Sequence, residues 1–462
     1  MTQTLHDDLA DALSGLRDHV AAPVAFPGDR DYPRCTPWNL AGQVTPGAVV
    51  FAEAAEDVVA TVRFAAARGV RVTVQATGHG ALVVDRDTVL VHTGAMTGCS
   101  LDSLNRVVRV GAGATWQHVL DVATPHGLAP VSGSSPTVGV VGLLTGGGIG
   151  PLVRSAGACS DHVRAFEVVT GAGELLRATP DENPDLFWGL RGGKATLGIV
   201  TAVEVDVLPI AQFYGGAIYF DGADAGTVLH TWREWSGELP VSVDTSVALL
   251  QLPPLPAVPE PLAGKLTVAV RYVAVDDFAE GERLLAPMRA AATPLLDAVA
   301  VMPYAAIGAV HADPPEPMPV LENQALLNAL PADVVDSLLT LAGPGVESLQ
   351  TIVELRMLGG MFAREPRYAS ALCHRDAAYA LTTIGLPVPE LAEQVNAHAA
   401  AVVAAVQPWC TGGQLPNFAP SQDGDRAGRI YAENTLGRLT ALADRYDPAG
   451  VFRVGQVVRR PS

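Results

Sequence analysis

The chain has 462 residues, of which 49% are hydrophobic and 17% charged, with a formal net charge of −18. That length suits two or three domains, and the apolar content suffices for large buried cores, which excludes a disordered chain. The acidic balance without any basic run excludes nucleic acid and anionic membrane as partners, because both demand clustered Lys and Arg against phosphate.

Residues 1–20 place Leu5, Leu9, Leu13 and Leu16 at helical spacing among Asp and Arg, which predicts an amphipathic surface helix and no targeting segment. Residues 56–69 (EDVVATVRFAAARG) predict an amphipathic helix closed by Gly69. A strand is expected at 70–74, a hairpin at 101–110, a helix ending at a glycine at 115–127, and strands at 163–169 and 199–207. Together they predict an α+β cofactor domain. Composition shifts near Pro209. Five prolines in residues 252–261 predict an irregular excursion. Beyond it, β runs at 266–273 and 351–358 alternate with helices at 277–292, kinked or broken at Pro287, and 332–342. After Gly412 and Gly413 a loop leads to a helix at about 426–446, ended by YDPAGVF. No apolar stretch of about 20 residues predicts a membrane span. Five scattered cysteines show no metal-ligand spacing, so no metal site is expected, and they read as free thiols of a soluble, cytoplasmic protein.

Two glycine-rich segments carry most of the information. The first is VQATGHGA at 74–81, after a predicted strand; the second is SGSSPTVGVVGLLTGGGIG at 132–150, with seven glycines in nineteen residues. Such density lets a backbone approach a ligand and present successive N–H groups to an anion, and a dinucleotide pyrophosphate fits; a pair of tight turns fits equally. Neither segment is a GxGxxG opening a helix or a GxxxxGK[ST], which excludes an NAD-type Rossmann site and a P-loop. His79, between two glycines, is either a hydrogen-bonding loop residue or a cofactor anchor.

Seven motifs follow in order: PGDRDYPRCTPWNLAGQVTPGAVVFAEAAEDVVATVRFA, VQATGHGA, SSPTVGVVGLLTGGGIG, NPDLFWGLRGGKATLGIVT, LGGMFAREP, CHRDAAY and YAENTLGRLTALADRYDPAGVF. Over residues 27–209, 354–383 and 413–458 the chain resembles the FAD-linked oxidases of the vanillyl-alcohol oxidase superfamily, in the berberine-bridge-enzyme-like branch. The resemblance implies an α+β fold. A two-part FAD-binding domain (residues 1–208, with 413–462 returning to it) joins a substrate domain at 209–412, whose antiparallel sheet is covered by helices. It implies FAD held by Gln75, Ala76, Thr77, Gly78, His79 and Gly80, by Ser134, Ser135, Pro136, Val138, Gly139, Gly142, Gly146, Gly147 and Ile149, by Val200, and by Asn417 near the pyrimidine end. His79 stands where relatives bond the flavin 8α carbon. Many relatives add a second bond through a cysteine, but Ser135 occupies that place and cannot form a thioether, so attachment through His79 alone is expected. Ser134 and Ser135 then either hydrogen-bond the isoalloxazine edge or are ordinary turn serines. The usual Gly-Asn-Phe-Gly becomes Ala195-Thr196-Leu197-Gly198. Val138 either stands at a position that gates oxygen in this branch, where a valine resembles oxidases, or is a core valine beside the glycines. Phe418 replaces a tyrosine that is often the catalytic base, and phenylalanine takes no proton.

The expected reaction is hydride transfer from a small organic substrate (an alcohol, sugar or specialised metabolite) to flavin N5, with reoxidation by O2 to H2O2. A dehydrogenase using another acceptor and a degenerate flavin-binding protein are the alternatives. Oxidising an alcohol needs a base within about 2.6–3.2 Å of the hydroxyl oxygen. Tyr379, a site residue or a structural aromatic, is the first candidate and Glu354 the second; Thr382 stands near a catalytic position but is a poor base. Glu354 and Arg356 share one strand face, which either looks onto the flavin or forms a surface pair. His374 and Arg375 are expected to brace the fold.

Overall fold

The computed structural model describes residues 12–80, 83–256, 258–419 and 426–454; the side chains of Ala195, Thr196 and Pro389 are outside that set. Most of the helix expected at 1–20, with Leu5 and Leu9, lies outside it too, but Leu16–His19 forms one helical turn that buries Leu16.

Short valine-rich runs build a four-stranded sheet in the order β1-β2-β4-β3, from β1 (Val24–Ala25), β2 (Ala48–Phe51), β3 (Arg71–Gln75) and β4 (Thr88–His92). β2, β4 and β3 run parallel, and every residue of β2 is buried, as a parallel sheet covered on both faces requires. The helix Ala55–Arg68 makes the crossover, with Val58, Val62 and Ala65 inward. Asp57 caps its start by accepting the amides of Glu53 and Ala54 at 3.0 Å, and Gly69, at φ 66, closes it.

A second, antiparallel sheet follows, from β5 (Cys99–Asp102), β6 (Val107–Gly111), β7 (Ala129–Pro130), β8 (Val163–Val169), β9 (Leu175–Ala178) and β10 (Ile199–Leu208). Its order is β5-β6-β10-β8-β9, with β7 also on β10. Val203, Val205 and Val207 pack with Phe166, Trp116, Leu143 and Phe187, and with Leu439, Leu442 and Tyr446 from the far end of the chain. The closing segment therefore returns to this core. The helix expected at 426–446 is two, Arg426–Ile430 and Glu433–Tyr446. The break falls at Tyr431, whose ring is buried and whose hydroxyl donates to the Gly192 carbonyl at 3.1 Å. The carboxylate of Asp447 ends the second helix by accepting the amides of Val451 and Phe452.

The third sheet has eight antiparallel strands: β11 (Gln212–Asp221), β12 (Val243–Gln251), β13 (Leu266–Ala274), β14 (Pro294–Asp297), β15 (Ala300–Pro303), β16 (Leu321–Leu327), β17 (Ile352–Met357) and β18 (Tyr379–Gly385). They run β14-β11-β13-β12-β17-β18-β16, with β15 also on β11. The expected α+β class and the helix-covered antiparallel sheet are borne out. Alternation divides the sheet. Val247, Val270, Leu355 and Leu381 point to one face, covered by Trp232, Trp235, Leu285, Val334 and Val402 from the helices Ala225–Ser236, Phe278–Arg289, Ala332–Ala342 and Ala392–Ala405. Helix Phe278–Arg289 runs through Pro287 and stops in the next turn, short of the expected 292. The opposite face carries Ser246, Arg271, Glu354, Arg356, Thr382 and Gln324 in register across five strands.

That polar face meets the second glycine segment, and Asp244 fastens the seam. Its carboxylate accepts the Arg154 amide at 2.5 Å and the Ser155 hydroxyl at 2.6 Å, while the Arg154 side chain donates to the carbonyls of Val243 (2.9 Å) and Leu358 (2.7 Å). Among the described residues no helix is long and apolar enough to cross a membrane. Removing this carboxylate strands buried donors, so Asp244→Ala should lower stability by about 3 kcal/mol, read as a fall in the urea midpoint by tryptophan fluorescence; an unchanged midpoint refutes the clamp.

Candidate functional site

The strand β3 delivers the first glycine segment to the site. Gly78 takes φ +76, and a Cβ there would lie 2.6 Å from the Pro37 backbone, so this bend needs glycine. The turn sets His79 flat against Trp38, with ring centroids 4.4 Å apart and planes 12° from parallel. Its Nδ1 lies 2.8 Å from Thr77 Oγ1, and its Nε2 lies 3.3 Å from Thr137 Oγ1 of the second glycine segment. Ser135 Oγ is 2.9 Å from the same Thr137 hydroxyl. The two glycine segments therefore meet at one imidazole. Burial pushes His79 down to about 4, so at neutral pH the ring is uncharged. Among the described residues, no protein acceptor takes the main-chain amides of Ala76, Thr77, Gly78, His79 or Gly80, which leaves a run of free donors beside the ring. Gln75 is tied down by its Nε2 donating to the Cys35 carbonyl at 2.8 Å.

The second segment enters a short helix, Val140–Thr145, with Gly139 against Thr77 and open space at Gly142. Not all its glycines serve a ligand. A Cβ at Gly146 would fall 2.1 Å from Asn417 Oδ1, and one at Gly147 2.7 Å from Leu372, so these two admit close protein packing. Asn417 donates through Nδ2 to the Leu143 carbonyl at 2.9 Å and leaves Oδ1, buried, without a partner. The closing segment thus places an unused acceptor beside the glycines. Pro136 and Val138 anchor the segment by accepting the amides of Gln117 and Trp116. Val200 lies in the core below, and Ile149 packs on Leu326, Ala380 and Phe418 of the seam.

The polar sheet face closes the site from the other side, joined by Arg356 Nη2 donating to Ser134 Oγ at 3.1 Å. Glu354 faces inward here, not the surface, but it is a poor base. It accepts from Arg271 Nη1 (2.7 Å), Ser246 Oγ (2.8 Å) and Arg356 Nη2 (3.1 Å). Burial works against its charge, yet the two guanidiniums hold the carboxyl well below its ordinary range, so it carries no proton to exchange near neutrality. Tyr379 is also corrected. It pairs with Met357, one residue out of step with Arg356, so its ring points into the helix-side core with its centroid 6.0 Å from that of Trp232. A one-residue offset moves a side chain to the other face. Thr382 does stand on the site face, opposite Glu354 and Gln324.

Ser246, Arg271, Glu322 and Gln324 of this face, and His311 in the turn beside it, are not legible in the sequence. The run LENQALL, which forms β16, mixes polar and apolar residues without a clean period, and only its pairing with β18 sets Glu322 and Gln324 on the Thr382 side. Burial, with the negative charges of Asp313 and Glu354, pushes Glu322 up to about 7. His374 and Arg375 do brace the fold, against the Arg429 carbonyl (2.8 Å) and Asp161 (3.0 Å). Among the described residues no cluster of His, Cys, Asp and Glu is arranged to hold a metal ion.

A family model described as an FAD binding domain matches residues 46–179. The (R)-6-hydroxynicotine oxidase of Paenarthrobacter nicotinovorans is 26% identical over 464 residues, covering 94% of this chain and 97% of that protein. Two solved structures share the fold. The xylooligosaccharide oxidase of Myceliophthora thermophila C1 has a TM-score of 0.81 at 21% identity, over 98% of this chain and 100% of that one. The BBE-like 1 protein of Physcomitrella patens has a TM-score of 0.80 at 20% identity, over 97% of each chain.

A methyl group at Gly146 must push Asn417 off Leu143. Gly146→Ala should therefore cost about 1 kcal/mol in thermal stability and lower flavin content on purification. The pair Gly146→Ala with Asn417→Ala should recover the melting temperature but not the flavin; recovery of both would exclude Asn417 from the cofactor site.

Proposed function

We propose that this chain, an FAD-dependent oxidoreductase, belongs to the vanillyl-alcohol oxidase superfamily in its berberine-bridge-enzyme-like branch, and that it is an oxidase. In this reading FAD is bonded covalently through His79 alone, a small organic substrate is oxidised, and O2 is reduced to H2O2. The carrying observation is the uncharged His79 imidazole, stacked on Trp38 and held by Thr77 and Thr137 where both glycine segments meet. An unprotonated ring nitrogen is what bonding to the 8α carbon requires. The residues fit the cofactor in two further respects: the free amides of Ala76 to Gly80 suit a pyrophosphate, and the unpartnered Asn417 Oδ1 suits a ring N–H. Residues 1–208 with 413–462 would hold FAD and 209–412 the substrate, a division supported by the return of the closing helix to the β10 core.

Bound FAD supplies the hydride acceptor. The chain must orient the substrate, exclude water and remove a proton from the hydroxyl or amine being oxidised. Glu322 suits the last task, because it faces the site from β16 and titrates near neutrality, where a general base works best. Val138, partly buried at the oxygen-gating position, supports O2 as acceptor, as does the oxidase named among the relatives. Five unpaired cysteines accord with a reducing, cytoplasmic setting.

Denaturing the purified protein in acid should leave yellow colour on the precipitate, and His79→Ala should release it; free flavin from wild type refutes the bond. Air oxidation with stoichiometric peroxide separates the oxidase from a dehydrogenase, and flavin bleaching by any substrate excludes a mere flavin-binding protein. A base must be deprotonated to act, so with Glu322 near 7 the value of kcat/KM should fall as pH drops below about 7 and level off above it. Glu322→Gln should lose that limb and about 10²- to 10⁴-fold in rate; a retained limb assigns the proton elsewhere.

A further inference from the structure

We propose that Trp38 is a positioning residue for the covalent attachment of FAD at His79, and that the proline-rich strap at residues 314–320 holds it in place. The inference rests on the attachment reading and goes beyond it, because it names what aims the imidazole.

The placement of Trp38 is the first observation. Among the described residues it belongs to none of the apolar core clusters. Its ring is half-buried, and the one aromatic contact it makes is the flat stack on His79, at 4.4 Å between centroids. The stack fixes the plane of the imidazole. Thr77 Oγ1, 2.8 Å from Nδ1, and Thr137 Oγ1, 3.3 Å from Nε2, fix its rotation within that plane.

The second observation is how Trp38 is held. Its amide donates to the Thr77 carbonyl at 2.9 Å, and the Asn39 amide donates to that of Gly78 at 3.2 Å, which ties this stretch to the first glycine segment. On its other side the Met318 amide donates to the Trp38 carbonyl and the Leu40 amide to the Met318 carbonyl, both at 3.1 Å. The indole Nε1 donates to the Pro315 carbonyl at 3.0 Å. Asn39 donates through Nδ2 to the Val320 carbonyl and accepts the Val320 amide on Oδ1, each at 3.1 Å. Trp38 is thus a rung between the glycine loop and the strap.

Stiffness of the strap is the third. Pro314, Pro315, Pro317 and Pro319 fall within six residues. Each ring fixes φ near −65° and reduces the entropy lost on ordering, so the Pro315 carbonyl keeps one direction. The strap begins just after His311, which contacts Arg356, and ends at β16, which carries Glu322. One piece of chain therefore serves both the polar sheet face and the cofactor anchor.

In the attachment a His79 ring nitrogen bonds to the flavin 8α carbon. The methyl group gives up a C–H proton, the imidazole gives up its N–H proton, and the electron pair released reduces the flavin, which O2 reoxidises to give H2O2. The attacking lone pair lies in the plane of the imidazole, so that plane must point at the carbon. A misplacement of about 1 Å costs on the order of 10²-fold in rate.

The test uses the full-length protein made without riboflavin, purified and mixed with FAD in air. Total bound flavin is measured before acid, and the covalent fraction is followed in time as colour on the acid precipitate. Trp38→Ala should bind flavin yet attach it on the order of 10²-fold more slowly than wild type. Trp38→Phe keeps a stacking ring and should recover most of the rate. Asn39→Ala releases the strap, leaves the indole, and should also slow attachment at unchanged flavin binding. If Trp38→Ala does not fold, Trp38→Leu, apolar but without a flat face, takes its place. A wild-type rate in the Ala or Leu variant, or a Phe variant as slow as either, overturns the role of the stack. An unchanged rate in Asn39→Ala overturns that of the strap. Wild type without covalent flavin refutes the attachment reading and this inference with it, whereas covalent wild type with unaltered variants refutes this inference alone.

Discussion

Arg356 Nη2 lies within hydrogen-bond distance of Glu354, His311 and Ser134, its two N–H groups shared among them, and so joins the sheet to two parts of the chain that lie far from it in sequence. Ser134 belongs to the glycine segment, Glu354 to the middle of the eight-stranded sheet, and His311 to the short 3-10 segment and turn that follow β15. A buried arginine has no neutral form to retreat to, so its surroundings must supply acceptors in fixed directions. The Asp244 clamp fixes the same seam a few residues away. Between them these contacts set the distance from the glycine segment to the polar sheet face, and with it the room left for a substrate.

On that face two carboxyl groups, two strands apart, behave differently. Glu354 sits between two guanidiniums and stays ionised; Glu322 faces Asp313 and Glu354 and is raised to about 7. One neighbourhood makes a fixed charge and the other a group that titrates near neutrality, a difference that environment alone imposes on chemically similar side chains. The position usually held by a tyrosine, Phe418, instead packs against the cluster of Ile149, Leu326 and Leu358. An apolar ring there closes the seam.

Local chemistry made much of the fold readable. The helix at 56–69, the hairpin at 101–110, the strands at 163–169 and 199–207 and the helix at 332–342 announce themselves by period and by terminating glycines, and they form within a few residues of those bounds. The family resemblance rested on motifs near the cofactor, where glycine spacing and a glycine-flanked histidine are visible in one dimension. Two site candidates went astray because face and pairing are not. Tyr379 and Ala380 are neighbours in the chain yet look to opposite sides of the sheet, and nothing local says which side holds the cofactor.

The amino-acid sequence by itself determined the class of fold, the kind of cofactor and the two glycine segments that meet at His79, because each follows from residue types at short spacing. Only the tertiary structure decided which polar residues share the site. Arg271, His311, Glu322, Glu354 and Arg356 come together through strand register across the sheet and its seam with residues 132–156, contacts that span long stretches of chain. Their protonation states were equally out of reach of the sequence, since a carboxyl group takes its charge from burial and from neighbours that only the folded chain supplies.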